Sequence, residues 1–329
     1  MKIGVSLAVV VAALIAGGCG EKEERVGGEP EKFTLALDFY VNPDHAGIYM
    51  ALERGYFAEA GLEVEPQVPS DPSAPVRQVA AGRADLAISY EPEVLLAREQ
   101  GLPVKAVAAL VDQPLTSVIW TADSGLRRIA DLRGKTIATA GIPYQTDFLD
   151  AILSKEKMSV DDVDQIEVGL GLLPAVLSGR SDAMLGGFLN VEGVDLARRG
   201  KDPTVLPVDE LGIPTYDELV LVASSDRIAE DPEAIRLFID ALERGTEDAI
   251  ADPKAATAAI LAAGDGLDAK LTAAEIERTL PLLAPRGAEE RFGFMDAGEW
   301  ERFAGFFADR GLITTRPTAD ELFTNEYLP

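Results

Sequence analysis

Cysteine and basic residues are scarce in this 329-residue sequence, and each shortage excludes a class of function. The single cysteine is Cys19, near the start of the chain. The rest of the chain therefore has no thiol for disulfides, metal ligation or nucleophilic catalysis. Lysine and arginine number 30 against 56 acidic residues, a formal net charge of −26. Nucleic acids require a basic footprint, so no nucleic-acid partner is expected.

The motifs of nucleotide, zinc and hydrolase chemistry are also missing. The sequence has no Gly-rich phosphate loop, no zinc-ligand spacing and no G-x-S-x-G motif. Hydrophobic residues make up 47% of the chain, which excludes a wholly disordered protein. The length is sufficient for two domains with separate cores. We therefore expect a globular protein of two domains, without a metal site.

Residues 1–19 resemble a bacterial lipoprotein signal peptide. Lys2 supplies the positive charge, residues 5–15 form an apolar segment too short to span a bilayer comfortably, and Cys19 follows three small residues. In such signals the cysteine is lipidated and becomes the new N-terminus. The alternative is an ordinary secretory signal with an accidental cysteine. Residues 20–32 are charged and contain Gly and Pro, which predicts a flexible tether.

A repeated motif organises the remaining chain. The sequence GRADLAISYE begins at Gly82, and GRSDAMLGGF begins at Gly179. Each copy follows an apolar helical segment. This pattern predicts a helix ended by glycine, a one-turn corner and a strand buried on both faces. Two such units predict two similar α/β lobes.

The order of predicted elements gives the boundaries of the two lobes. Lobe I is predicted to comprise residues 33–120 and 223–329, and lobe II residues 121–222. The last third, from residue 231 onward, has a helical pattern and is expected to pack on lobe I. Two crossings between the lobes would form a hinge, with a ligand cleft between them.

The first candidate site residues follow directly after the repeated strands. Ligands of open α/β sheets bind beyond the carboxyl ends of the strands. This rule selects Tyr90 and Glu91 in one lobe, and Asn190 and Glu192 in the other. Each glutamate could bind an amine, or could simply stabilise the start of a helix through the helix dipole.

The order of elements resembles the type II periplasmic binding fold, and six segments resemble the thiamine-pyrimidine-precursor family. That family includes bacterial formylaminopyrimidine-binding lipoproteins of an ABC importer and eukaryotic pyrimidine synthases. The resemblance implies an α/β fold with two lobes of mixed, mostly parallel sheets flanked by helices. The matching segments are residues 37–65, 80–104, 131–137, 190–196, 214–222 and 324–329.

The same resemblance distinguishes an enzyme from a binding protein. The synthases carry a lysine that holds pyridoxal phosphate, and this position corresponds to Ser89. Their histidine four residues later corresponds to Glu93, and their cysteine-rich iron motif corresponds to residues 212–217, which contain no cysteine. Serine cannot form a Schiff base. The chain is therefore predicted to be a binding protein, not an enzyme, and to have no cofactor.

Further candidate residues lie in the loop after the first strand and among the aromatic side chains. Asp38, Asn42 and His45 occupy this loop, and the resemblance aligns Asn42 and His45 with the family's Asn-x-x-His pattern. His45 could equally be structural. Aromatic side chains offer stacking faces for a flat ring but are often core residues. The aromatic candidates are Phe39, Tyr90, Tyr144, Phe188 and Tyr216.

The resemblance implies a lipid-anchored, extracytoplasmic monomer that delivers its ligand to the permease and ATPase subunits of an ABC importer. The favoured ligand is formylaminopyrimidine or hydroxymethylpyrimidine. The family's tryptophan after the first-strand aspartate is Phe39 here, and its Trp-Asn-Tyr-Glu pattern reads Leu189-Asn190-Val191-Glu192. The loss of large aromatic faces implies a wider or differently stacked pocket. Alternatives are therefore riboflavin, another flat heterocycle, a sulfonate or nitrate. A pyrimidine synthase is the alternative from another class.

Overall fold

The computed structural model describes residues 30–285 and 291–329, which form two five-stranded sheets flanked by helices. The strands are β1 (Glu31–Ala36), β2 (Leu62–Gln67), β3 (Leu86–Ser89), β4 (Val104–Val111), β5 (Thr116–Thr121), β6 (Thr136–Thr139), β7 (Asp164–Glu167), β8 (Ala183–Phe188), β9 (Pro203–Pro207) and β10 (Leu219–Ser224). The helices are α1 (Ala46–Arg54), α2 (Tyr56–Glu59), α3 (Pro75–Ala80), α4 (Glu91–Glu99), α5 (Tyr144–Lys155), α6 (Leu172–Leu177), α7 (Glu192–Arg198), α8 (Ser225–Glu230), α9 (Pro232–Ala251), α10 (Pro253–Ala263), α11 (Ala269–Thr279), α12 (Ala297–Asp309) and α13 (Ala319–Leu322). Within these residues, no helix has the length and apolar character that crossing a membrane requires.

The two sheets have equivalent topology. Their strand orders are β2-β1-β3-β10-β4 and β7-β6-β8-β5-β9. In each sheet the first three strands are parallel, and the fourth is antiparallel to both of its neighbours. The antiparallel strands β10 and β5 are those that the chain enters directly after crossing from the other sheet. The predicted two-lobed α/β fold with mixed sheets is confirmed.

The repeated Gly-Arg-x-Asp motif has the same structural role in both sheets. Its glycine ends the preceding helix with φ values of 65° and 73°, a conformation that glycine adopts without steric cost. Its aspartate then binds the neighbouring parallel strand. Asp85 accepts from the backbone N–H of Thr34 at 2.7 Å, and Asp182 accepts from that of Thr136 at 2.9 Å. The motif thus aligns each buried strand with its neighbour.

Strand pairing corrects the predicted lobe boundaries. The predicted break after residue 120 would leave most of β5 in lobe I, but β5 pairs with β8 and β9 in the second sheet. The break after residue 222 would likewise divide β10, which pairs entirely within the first sheet. The crossings are residues 112–115 and 208–218. A short buried apolar strand looks the same in sequence whichever sheet it joins.

The last residues assigned to the predicted tether belong to the first strand. Glu31 and Lys32, assigned to it from their charge, are the first residues of β1 and pair with β2. The predicted signal peptide, the rest of the predicted tether and Cys19 lie outside the described residues.

The C-terminal helices pack on the first sheet's layer but also contact the second lobe. Helix α9 lies so close to α1 that a Cβ on Gly245 would be 2.3 Å from the carbonyl oxygen of Gly47. Phe303 of α12 meets Phe148 of α5, with ring centroids 6.2 Å apart. The last third thus packs on lobe I, as expected, and also contacts lobe II.

Candidate ligand-binding site

A cavity with about 430 Å³ of open space lies between the carboxyl ends of the two sheets. From the first sheet, Asp38 and Phe39 follow β1, and Tyr90 follows β3. From the second, Phe188 ends β8 and Glu192 begins α7. Residues of both lobes therefore form its walls.

Asp38 is held in place at the cavity wall by two buried side chains. His45 Nε2 lies 2.9 Å from one carboxylate oxygen, and the Tyr90 hydroxyl donates to the other at 2.9 Å. The backbone N–H of Asn42 donates to His45 Nδ1 at 3.3 Å, so Nε2 carries the proton and donates to Asp38. Asn42 lines the cavity, whereas His45 is fully buried and positions Asp38 from behind.

Glu192 is the carboxylate on the opposite wall. Its Oε2 accepts from the backbone N–H of Phe188 at 2.8 Å, and only 5% of the residue is exposed. Burial raises the pKa of Glu192 to about 7, although the hydrogen bond from Phe188 opposes the shift. Among the described residues that line the cavity, none is Lys, Arg or His. The cavity is therefore suited to a ligand that donates hydrogen bonds, such as an amine.

Aromatic rings form much of the remaining wall. Tyr90 and Tyr144 meet edge to face with centroids 6.2 Å apart, and Phe39 and Phe188 also line the cavity. Burial raises the pKa of both tyrosines well above 10, so their hydroxyls stay protonated at neutral pH. These rings offer flat apolar surfaces with two hydroxyl groups.

Gln145, which the sequence reasoning missed, adds an amide to this wall. Its Oε1 accepts from the backbone N–H of Ala140 at 2.9 Å. Its Nε2 lies so close to Gly186 that a Cβ there would be 2.3 Å away, and Gly186 has φ +108°. The glycine pair Gly186-Gly187 in β8 could have indicated this contact, because glycine in a strand often marks a close approach of another group.

Three other predicted residues do not line the cavity, and Glu91 is the clearest of them. Its Oε2 accepts from the backbone N–H of Asp217 at 2.8 Å, in the segment leading into β10. Burial and the nearby Asp217 carboxylate raise the pKa of Glu91 well above its ordinary value. Tyr216 is also buried elsewhere, where its hydroxyl donates to Glu218 at 3.0 Å. Glu91 and Tyr216 hold the second crossing in place.

Asn190 bridges the two lobes beside the cavity. Its side-chain N–H groups donate to Asp44 Oδ1 at 2.7 Å and to Thr279 Oγ1 of α11 at 2.8 Å. Among the described residues, Asp44 Oδ2 and Asn190 Oδ1 are buried without a partner. Burial raises the pKa of Asp44 well above its ordinary value, and protonation would supply a donor to this pair. Asn190 thus joins the two lobes by hydrogen bonds.

Glu218, also missed from the sequence, ties the two crossings together. Its Oε2 accepts from the backbone N–H groups of Leu115 and Thr116, both at 2.7 Å, and its Oε1 accepts from the Thr116 hydroxyl at 2.8 Å. Thr116 lines the cavity, so this hinge contact also shapes the site. Burial raises the pKa of Glu218 to about 7. The position of Glu218 directly before an apolar strand could have indicated that its carboxylate has a structural role.

The residues that the structure describes do not fit the synthase cofactor or a metal ion. Ser89 donates its hydroxyl to Glu93 Oε2 at 2.8 Å, and neither side chain offers an amine for a Schiff base. Within residues 30–285 and 291–329, no group of three His, Cys, Asp or Glu side chains could hold a metal ion.

Two equivalent lobes, two crossings and a cavity between the sheets define a periplasmic-binding-protein fold. The solved alkanesulfonate-binding protein SsuA from Xanthomonas axonopodis pv. citri, bound to MOPS, shares this fold at a TM-score of 0.71 and 17% identity. That match covers 91% of this chain and 99% of the solved chain.

The chain belongs to the NMT1/THI5-like family, which it matches over residues 42–256. The formylaminopyrimidine-binding protein of Halalkalibacterium halodurans is 31% identical over 327 residues, 99% of each chain. The 4-amino-5-hydroxymethyl-2-methylpyrimidine phosphate synthase of Aspergillus parasiticus is 30% identical over 237 residues, 69% of each chain. The family resemblance of the sequence is confirmed, and together with the fold it supports a substrate-binding role.

Proposed function

We propose that this chain is the extracytoplasmic substrate-binding lipoprotein of an ABC importer and that it binds a thiamine pyrimidine precursor between its lobes. Formylaminopyrimidine and hydroxymethylpyrimidine are the favoured ligands. The observation that carries this proposal is the pair of buried carboxylates, Asp38 and Glu192, on opposite walls of an aromatic cavity whose described lining residues include no cationic side chain.

An aminopyrimidine matches this arrangement chemically. Its exocyclic amine donates to a carboxylate, and its ring packs against the tyrosine and phenylalanine faces. Glu192 and Asp38 belong to different lobes, so a ligand that contacts both stabilises the closed form more than the open form. Closure in turn presents a defined shape to a permease.

The cavity suits the alternative ligands and the synthase activity to different degrees. A sulfonate or nitrate needs hydrogen-bond donors or cations, and the two carboxylates oppose an anion. Riboflavin and other flat heterocycles remain alternatives, because Phe39 and Val191 line the cavity at positions where the family pattern has larger aromatic side chains. A synthase would need an amine where Ser89 stands. The relative named as a formylaminopyrimidine-binding protein supports the binding role over the enzymatic one.

Thermal unfolding of the purified protein tests the ligand. A ligand at about 100 times its dissociation constant adds roughly 2.7 kcal/mol to the free energy of unfolding, which is a shift of several degrees. We expect formylaminopyrimidine or hydroxymethylpyrimidine to raise the midpoint, and thiamine, riboflavin and a sulfonate to have little effect. A shift with riboflavin or the sulfonate alone would overturn the pyrimidine assignment.

Lipid attachment is tested separately in cells fed a labelled fatty acid. The wild-type chain should incorporate the label, and Cys19→Ser should not. Equal labelling of both chains, or none in either, would contradict the proposed anchor at Cys19.

A further inference from the structure

Gln145 is an amide on the cavity wall whose nitrogen has no acceptor. Only 2% of the residue is exposed, and it lines the cavity from the first turn of α5. Its Oε1 accepts from the backbone N–H of Ala140 at 2.9 Å, which fixes the orientation of the amide, because the nitrogen cannot accept. Among the described residues, Nε2 makes no hydrogen bond, and it is not one of the fully buried atoms that lack a partner. Nε2 is therefore open to the cavity.

Gly186 of β8 gives this amide the space that it occupies. A Cβ on Gly186 would lie 2.3 Å from Gln145 Nε2 and 3.2 Å from its Cδ, so any other residue at this position would displace the amide. Gly186 also lines the cavity, on the strand that leads to Glu192. Gln145 and Glu192 thus present an amide donor and a carboxylate acceptor from the same lobe.

The hydroxyl groups on the cavity wall already have acceptors. Tyr90 donates its hydroxyl proton to Asp38 at 2.9 Å, and Thr116 donates its proton to Glu218 at 2.8 Å. The Tyr144 hydroxyl interacts with Thr116, whose own proton points at Glu218. These hydroxyls are therefore occupied by other protein groups.

The second amide on the wall is also engaged at both ends. Asn42 Nδ2 donates to the backbone carbonyl of Tyr40 at 3.1 Å, and its Oδ1 accepts from the backbone N–H of Asp44 at 2.8 Å. Among the described residues that line the cavity, Gln145 is therefore the amide whose nitrogen remains available to a ligand.

The two favoured ligands differ in their need for such a donor. The carbonyl oxygen of a formylamino group only accepts hydrogen bonds, whereas a hydroxymethyl group both donates and accepts. A hydroxyl can therefore donate to Asp38 or Glu192, but a carbonyl oxygen would be repelled by either carboxylate. A buried carbonyl without a donor is costly. Of the two substituents, the formyl group is the one that requires Gln145.

We propose that Gln145 determines ligand specificity, because its Nε2 donates to the carbonyl oxygen of a formylamino substituent while the ligand's amine binds a carboxylate. This proposal rests on the proposed function and narrows its substrate class. It favours formylaminopyrimidine over hydroxymethylpyrimidine, by about fivefold or more in the dissociation constant.

Calorimetric titration of the full-length protein with both pyrimidines tests the proposal. Gln145→Glu keeps an acceptor for Ala140 but places an oxygen where Nε2 was. We expect the dissociation constant for formylaminopyrimidine to rise about tenfold or more, and that for hydroxymethylpyrimidine to change less than about twofold, since its hydroxyl can donate to the new carboxylate. Gln145→Met removes the donor without adding a charge and should show the same selective loss.

Two further variants serve as controls. Gln100→Glu makes the same substitution at an exposed position and should leave both dissociation constants unchanged. Tyr144→Phe tests the competing donor, and it should keep the preference for the formyl ligand. Equal losses for both ligands in the Gln145 variants, no loss for either, or a wild-type preference for hydroxymethylpyrimidine would overturn the proposal. Loss of the preference in Tyr144→Phe alone would assign the carbonyl to Tyr144 instead.

A second pair of probes separates this proposal from the pyrimidine assignment. If neither pyrimidine binds the wild type, the proposed function fails, and thermal unfolding with N-benzylformamide and benzyl alcohol then tests the amide donor alone. Greater stabilisation by N-benzylformamide, lost in Gln145→Glu and Gln145→Met, would support the role of Gln145 without the pyrimidine. Equal effects of the two probes would overturn it.

Discussion

Glu91 and Glu192 occupy matching positions in the two lobes and have different surroundings. Each is the first residue of a helix that follows a repeated buried strand, and each is almost completely buried. Glu192 lines the cavity, whereas Glu91 turns to the backbone of Asp217 and holds the segment that enters β10. Repetition of a motif therefore predicts the position of a residue in the fold but not the direction of its side chain.

The difference arises from the spacing between strand and helix. In the first lobe only Tyr90 separates β3 from α4, so Tyr90 faces the cavity and Glu91 faces the crossing. In the second lobe residues 189–191 intervene between β8 and α7, and this longer turn brings Glu192 back to the cavity. Two extra residues thus change which side chain meets the ligand.

The largest expected difference between Glu192 and Glu91 is in their effect on ligand affinity. Glu192→Gln removes a charge-assisted hydrogen bond worth about 1.5–3 kcal/mol, so we expect the dissociation constant for an aminopyrimidine to rise roughly 10- to 100-fold. Glu91→Gln is the matched control and should change it less than about twofold. Calorimetric titration measures both. Similar losses in the two variants would remove the functional distinction between the glutamates.

The second effect is on the pH dependence of stability. The pKa of Glu91 is raised above 4.5 in the folded protein, so the folded chain holds a proton that the unfolded chain has released. The free energy of unfolding therefore falls as pH rises above about 4.5. Glu91→Gln keeps an acceptor for Asp217 but cannot ionise. We expect its melting temperature to decline less than that of the wild type between about pH 5 and pH 8, by roughly a few degrees. Parallel declines would show that Glu91 does not titrate in this way.

The smallest effect concerns closure. Asn190→Ala removes the bridge to Asp44 and Thr279, a loss of about 1 kcal/mol from the closed form, so affinity should fall roughly fivefold. We expect the change mainly in the dissociation rate, since the bridge exists only after closure. Stopped-flow release of the ligand measures it, with Asn325→Ala as a control outside the cavity. A change confined to the association rate would contradict a role in holding the lobes closed.

The sequence predicted two lobes of mixed sheets and placed candidate residues at strand ends, because strand ends and local motifs are visible along the chain. Of the two glutamates selected after the repeated strands, Glu91 and Glu192, only Glu192 lines the cavity. The positions of Asp38, Tyr90 and Glu192 follow from the rule that ligands bind beyond the carboxyl ends of strands. The contact between Glu218 and Thr116 could not be predicted from the sequence. It joins two crossings about a hundred residues apart and depends on which sheet each strand enters. His45 was a ligand-binding candidate from the sequence, whereas the structure places it behind Asp38, a position that only the fold reveals.

The most direct measurement is the coupling between Glu192 and the ligand's amine. It requires four dissociation constants, for wild type and Glu192→Gln, each with an aminopyrimidine and with the same ring lacking the amine. We predict that removing the amine weakens binding to the wild type about tenfold or more and has little effect in Glu192→Gln, a coupling of about 1 kcal/mol or more. Equal losses in both proteins would show that Glu192 does not bind the amine and that the ligand is held in another way.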